Sequence, residues 1–329
     1  MNWKGKRVLV TGAGGFIGSH LTERLVREGA SVVAFIRYNS RSSEGFIRLL
    51  PRQVRESLEV VAGDIEEIES VRGALKGAEV VFHLAALVGI PYSYLHPREV
   101  VDTNLIGSLN VLTVAREQGV EKVVMTSTSE VYGTARYVPI DEGHPLQPQS
   151  PYSASKIGAD CLSESYYRSF GLPVAIIRPF NTYGPRQSAR AVIPTIITQA
   201  LVRDTIALGA TSPTRDFTFV TDTVDGFVKI AESERAVGQV INIGSGREIS
   251  IGELAEKIVS IVGRRVAVVE DSRRVRPAAS EVERLCADNS KARALVGWAP
   301  RVPLEQGLAE TVEWIKHHIG LYRPEAYEI

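Results

Sequence analysis

Three side chains near the middle of the chain have types and spacing suited to moving protons. Glu130 lies in Thr128-Ser129-Glu130-Val131-Tyr132-Gly133, and Tyr152-Ser153-Ala154-Ser155-Lys156 follows it. A tyrosine and a lysine four residues apart on a helix share one face, one turn from each other, so the ammonium stands where it lowers the phenol's pKa. Tyr152 is then expected to take a proton near neutral pH, with Thr128 or Ser127 orienting the hydroxyl that gives it up. Glu130 brings a carboxylate that a simple alcohol oxidation does not need; its bland alternative is a surface loop charge. Tyr132 reads as packing.

These groups need a scaffold, and runs rich in Val and Ile supply one. Strand-like segments stand at 7–10, 31–36, 58–61, 80–84, 122–125 and 174–177, with helical patterns between most of them. That rhythm predicts an α/β fold around a parallel, doubly wound sheet. Helices are expected over 17–28, 100–118 and 152–169, stopped by Gly29, Gly119 and Gly171. The last of them carries Tyr152 and Lys156. Beyond Arg178 the alternation breaks at Pro179, Pro185, Pro194 and Pro213. Residues 1–180, with a return at about 217–245, are therefore expected to form the sheet domain, and 181–216 with 246–329 a smaller α/β substrate-binding region.

The first strand runs into Thr11-Gly12-Ala13-Gly14-Gly15-Phe16-Ile17-Gly18. Gly12, Gly15 and Gly18 sit where a strand turns into a helix, which lets backbone N–H groups, Phe16 and Ile17 among them, approach a pyrophosphate. Together with the later Tyr152 and Lys156, this predicts a Rossmann-type nicotinamide dinucleotide site. The second strand ends in Arg37-Tyr38-Asn39-Ser40-Arg41-Ser42, without a carboxylate for an adenosine 2′-hydroxyl. Arg37 and Arg41 favour NADP; NAD stays open if they are solvated loop charges. Asp64, followed by Ile65, is placed either to bond the adenine amine or to cap a helix. Leu84, Ala85 and Ala86 are small enough for a backbone to pass close to ribose and diphosphate, and small core residues would look the same.

Composition narrows the partners. The 329 residues carry 38 basic and 38 acidic side chains with no long run of either sign, which argues against nucleic acid and anionic membranes. Cys161 and Cys286 lack metal-ligand spacing, so no metal is expected and a reducing compartment is. The longest apolar run, 80–90, contains His83 and Gly89 and is too short to span a bilayer. The opening Met1-Asn2-Trp3-Lys4-Gly5-Lys6 leads straight into a strand, and the cytoplasm is the expected location.

Taken in order, these residues resemble the extended short-chain dehydrogenase/reductases that modify nucleotide sugars. The matching stretches are the 11–18 turn, His83-Leu84-Ala85-Ala86, Asn104, 127–133, 152–156, Arg178-Pro179-Phe180-Asn181, Tyr183-Gly184-Pro185, Arg215-Asp216-Phe217 and Gly297-Trp298-Ala299-Pro300. The resemblance implies Asn104 and Pro179 as further cofactor residues. Epimerases of this family usually carry a small or apolar residue where this chain has Glu130; the 4,6-dehydratases carry glutamate. The chain therefore looks like a nucleotide-sugar 4,6-dehydratase. Ser129 stands where the dTDP-glucose members have aspartate, as in the GDP-mannose type. The segments 38–41 and 148–152 look most like dehydratases of nucleotide-linked N-acetylglucosamine on the way to legionaminic-type sugars. The resemblance implies a redox-neutral reaction with a recycled cofactor, C4 oxidation by Tyr152 and Lys156, and loss of water across C5 and C6 by Glu130. It also implies a UDP- or GDP-linked N-acetylglucosamine substrate, with Asn181 at its pyrophosphate and Arg215 at its nucleotide end, and a homodimer. Arg276 is a further arginine for the phosphates, or else a solvated charge. A 4-epimerase is the nearest alternative; a non-catalytic dinucleotide sensor on the same fold is remote, since it needs none of Glu130, Tyr152 and Lys156.

Overall fold

Strands buried on both faces need apolar residues at every position, and the Val- and Ile-rich runs provide them. The computed structural model describes residues 1–275 and 277–325. Among these, the runs become β1 (Arg7–Thr11), β2 (Ser31–Arg37), β3 (Glu59–Gly63), β4 (Val80–His83), β5 (Lys122–Thr126) and β6 (Val174–Pro179). The later strands are β7 (Asn181–Tyr183), β8 (Thr205–Leu208), β9 (Thr214–Phe219), β10 (Val240–Ile243), β11 (Glu248–Ser250) and β12 (Ala267–Glu270). The main sheet is parallel throughout, in the order β10-β6-β5-β4-β1-β2-β3. Its direction of progression reverses between β1 and β4, where Thr11 is in register with His83. A doubly wound sheet opens a crevice at that point, beyond the carboxyl ends of its strands.

Alternation along β1 divides the core in two: Val8 and Val10 face one apolar cluster, Leu9 the other. The first cluster takes in Leu21 and Leu25 of α1 (Phe16–Arg27). The second takes in Val71 and Leu75, beyond α2 (Arg52–Glu56), from α3 (Ile68–Leu75). The helix expected over 100–118 is instead three pieces. After α4 (Ile90–Leu95) come α5 (Pro97–Val101), a π-helical turn at Asp102–Ile106, and α6 (Gly107–Gln118). Gly107 lets that turn close on Ile65, in the segment after β3, because a Cβ there would meet Ile65 Cγ2 at 2.8 Å. Helix α7 (Pro151–Phe170) runs as expected, opened by a Ser150–Ser153 capping box and closed by Gly171 at φ +68°.

The chain past β6 builds a second region. Strands β11, β9 and β7 form a three-stranded sheet, and β12 pairs with β8. Helices α8 (Val192–Val202), α10 (Ile251–Val262) and α12 (Leu304–His317) pack on one another there, while α11 (Ser290–Val296) lies beside β10. Helix α9 (Val220–Glu232) returns to pack against α1, and β10 joins the main sheet beside β6. No helix among the described residues is long and apolar enough to cross a membrane.

Candidate active site

A cleft of about 1010 Å³ lies between the sheet's carboxyl ends and the second region. One end is built from the glycine turn. Gly12 adopts φ +71°, and a Cβ there would meet the Ala85 amide nitrogen at 2.8 Å, so the turn and the Leu84–Ala86 segment approach as only glycine permits. Gly15 caps α1 without a side-chain bond, and the first turn of α1 carries no acidic residue. Its open N–H groups, at the positive end of a helix dipole, face the cleft and suit a dinucleotide's pyrophosphate. Gly12, Gly15, Phe16, Ile17, Gly18, Arg37, Asp64, Ile65, Leu84, Ala85, Ala86 and Pro179 all line it.

Threonine and histidine fix the end of β4. Thr11 Oγ1 accepts the Leu84 and Ala85 N–H groups, each at 3.1 Å, and lies 2.8 Å from His83 Nδ1. His83 Nε2 is 3.1 Å from Ser108 Oγ, which itself donates to the Asn104 carbonyl. With Thr11 donating to Nδ1, the imidazole carries its proton on Nε2. Burial and the nearby Lys156 charge push its pKa down to about 3, so it stays neutral as a structural post.

The other end gathers the proton-handling groups. Thr128, Ser129, Glu130, Tyr152 and Lys156 line the same cleft, and so does Ser127. Thr128 Oγ1 accepts the Glu130 N–H at 3.2 Å, capping the short turn that carries the carboxylate, and its hydroxyl also faces the Tyr152 phenol. Ser127 is committed elsewhere: it donates to Asp160 Oδ2 at 2.8 Å, which leaves Thr128 as the hydroxyl for a substrate. Lys156 is fully enclosed, and burial lowers its pKa to about 8 against the opposing pull of Asp160.

Four sequence-based expectations need correcting. Lys156 was expected to lower the Tyr152 pKa; burial instead dominates and raises it, with the Glu130 and Asp160 charges adding to the rise and only Thr128 opposing. Asn104 does not reach the cleft. It is buried behind the wall, bonding the Leu87 N–H and carbonyl at 2.8 and 3.0 Å and Ser155 Oγ at 2.9 Å, so it shapes the loop after β4. Arg41 stands on an exposed loop outside the cleft. The end of β2 is also not free of carboxylates: Glu99, brought in by α5, lies 3.7 Å from Arg37 and accepts the Tyr92 hydroxyl at 2.5 Å.

Asp64 Oδ1 accepts the Glu66 N–H at 3.0 Å, a local turn, while Glu67 holds the N-cap position of the helix that follows, without a side-chain capping bond. On the substrate side, Asn181 and Arg215 line the cleft, and Arg215 pairs with Glu281 at 3.1 Å. Arg276 lies outside the described residues. Sequence reasoning missed Glu99 and Glu281, which reach the site only through tertiary folding. It also missed Asp160, whose spacing of one turn from Lys156 was the available signal.

With this geometry in hand, comparison with known proteins is specific. A family model described as GDP-mannose 4,6 dehydratase matches residues 9–311. A UDP-glucose 4-epimerase of Mycolicibacterium smegmatis is 36% identical over 94% of this chain and 99% of its own. The structure of an epimerase from Methanothermobacter thermautotrophicus superimposes with a TM-score of 0.90 at 30% identity, covering 98% of this chain and 96% of that one. A dTDP-glucose 4,6-dehydratase of Streptomyces venezuelae, solved with NAD and TYD bound, gives 0.86 at 31% identity over 97% and 99%.

Proposed function

The chain belongs to the GDP-mannose 4,6 dehydratase family of nucleotide-sugar enzymes, and we propose that within it the chain is a 4,6-dehydratase making a 4-keto-6-deoxy sugar nucleotide. The observation that carries this reading is Glu130: its carboxylate lines the cleft and lies close enough to Tyr152 for its charge to raise the phenol's pKa. An enzyme that only oxidises and re-reduces C4 has no task for a base there.

The glycine turn, the α1 N-terminus, Tyr152 and Lys156 would hold a nicotinamide dinucleotide, NADP if Arg37 takes a 2′-phosphate, NAD if Glu99 keeps that guanidinium occupied. When bound, that group would supply a reversible hydride acceptor for the oxidation at C4 and the reduction at C6. Tyr152 holds the proton of the sugar 4-hydroxyl, and Lys156 and Thr128 keep the phenol in place. The 4-ketone acidifies C5–H; Glu130 removes that proton and hands it to the leaving C6 hydroxyl, which departs as water, while Ser129 positions that hydroxyl. Tyr152 then releases its proton to solvent while a solvent proton returns to C5 by way of Glu130, so that the phenol and the carboxylate regain their starting states. Asn181 takes the pyrophosphate of a UDP- or GDP-linked N-acetylglucosamine and Arg215 its nucleotide end, with Arg276 a further arginine for the phosphates. The proposal extends to the 181–216 and 246–329 segments as the substrate-binding part, and to a cytoplasmic homodimer.

The second reading is a nucleotide-sugar 4-epimerase, favoured by the 36% identical relative. Glu130→Gln separates the two. A dehydratase loses about 10²- to 10⁴-fold in product formation, the range for removing a general base; retention of the wild-type rate would instead assign the chain to the epimerases.

A further inference from the structure

Glu130 stands on a short turn, and a carboxylate on a turn needs something to fix it. Both ends of the 127–132 segment run into the same buried ion pair. At one end the Ser127 hydroxyl donates to Asp160 Oδ2 at 2.8 Å. At the other, the Tyr132 hydroxyl accepts from Arg178 Nη1 at 2.9 Å and donates to Asn242 Oδ1 at 2.7 Å. Between them Arg178 donates to Asp160 Oδ2 from Nε at 3.1 Å and from Nη2 at 2.8 Å. The guanidinium also lies over the Tyr132 ring, 4.9 Å from its centre. Asn242 closes the chain by donating to the Ile140 carbonyl at 3.1 Å. Ser127, Tyr132, Asp160, Arg178 and Asn242 are all buried.

We propose that this Asp160–Arg178 pair, acting through Ser127 and Tyr132, positions Glu130 relative to Tyr152, so that proton removal at C5 depends on it far more than oxidation at C4 does. Asp160 belongs to α7, one turn beyond Lys156, and Arg178 belongs to β6. The helix that carries Tyr152 and Lys156 and the turn that carries Glu130 are thereby tied to one charge pair. Tyr152 and Lys156 sit on a long capped helix and keep their places without the tie. Glu130 has the Thr128 cap and the two ends of its segment. Tyr132 and Arg178 thus act as positioning residues. This rests on the dehydratase reading above, since only that reaction asks for proton removal at C5.

The test compares two half-reactions in the full-length, cofactor-loaded protein mixed with UDP- or GDP-N-acetylglucosamine in deuterated water. Oxidation at C4 is read as the absorbance of reduced nicotinamide, and proton transfer at C5 as deuterium in the recovered sugar. Tyr132→Phe keeps the ring and removes the hydroxyl. Arg178→Lys keeps the charge beside Asp160 but lacks the planar fork that reaches Tyr132 as well. Both variants are expected to oxidise within about twofold of wild type and to exchange at C5 about tenfold to a hundredfold more slowly, the scale of a misplacement near 1 Å. Both rates falling by one common factor alongside the melting temperature, or neither changing, would overturn the inference. Wild-type protein that oxidises the sugar without exchanging C5 removes the dehydratase reading itself, and this inference with it.

Discussion

Replacing Lys156 by methionine should make the folded protein more stable while abolishing its activity. Burial holds the ammonium at a pKa of about 8 against an ordinary value of 10.5. That gap of about 2.5 units, at about 1.4 kcal/mol each, means that a charged Lys156 costs the fold about 3 kcal/mol. The pH dependence follows from the sign. Below pH 8 the folded and unfolded chains both carry the proton, and the whole penalty is present. Between 8 and 10.5 the unfolded chain alone binds it, so wild-type stability rises with pH; above 10.5 the penalty is gone. Lys156→Met, which keeps the length of the apolar stem, is therefore expected to gain about 3 kcal/mol at pH 7, with the advantage shrinking to nothing near pH 10.5. Urea unfolding of cofactor-stripped protein at pH 7 and at pH 10 measures this, because bound cofactor would stabilise the two proteins unequally. A variant less stable than wild type at pH 7, or a difference that does not narrow with pH, would refute the reasoning.

Three further outcomes follow. Gly18→Ala places a Cβ 2.9 Å from the Gly12 carbonyl carbon and 3.0 Å from Ala13 Cα, so the turn must open; the purified variant should carry little dinucleotide by mass spectrometry, and full loading would contradict the cradle. Arg37→Gln should lower the affinity for NADP relative to NAD by about tenfold or more, as loss of a charged hydrogen bond does; an unchanged ratio of dissociation constants would place cofactor choice elsewhere. Arg178→Met leaves the Asp160 carboxylate buried without its guanidinium and should destabilise the protein by about 3–5 kcal/mol in urea unfolding, whereas a loss below about 1 kcal/mol would mean the pair is not closed to water.

Local signals in the sequence were read well where local physics decides. The Val- and Ile-rich run of β1, the glycine turn into α1 and the four-residue spacing of Tyr152 and Lys156 are each set by neighbouring residues, and the structure forms the strand, the turn and the helix that were expected there. The misses share a cause. Glu99 reaches Arg37 across 62 positions (99 − 37) because α5 folds back over the end of β2, and no window along the chain reveals that. Asn104 faces inward because a π-helical turn interrupts an otherwise helical pattern, a one-residue shift that periodicity does not register. Tyr152 illustrates the limit for chemistry. Spacing suggests that Lys156 lowers the phenol's pKa, but burial, a property of the whole fold, raises it, and Thr128 alone opposes the rise.

The central claim is that Glu130 turns a C4 oxidation into a dehydration. The direct measurement is incubation of the purified protein, without added cofactor, with UDP-N-acetylglucosamine, GDP-N-acetylglucosamine, GDP-mannose and dTDP-glucose in deuterated water, followed by mass spectrometry and NMR. The account predicts that one of them loses a single water and gains deuterium at C5. An unchanged mass with an isomeric sugar in the NMR spectrum would contradict it and identify a 4-epimerase.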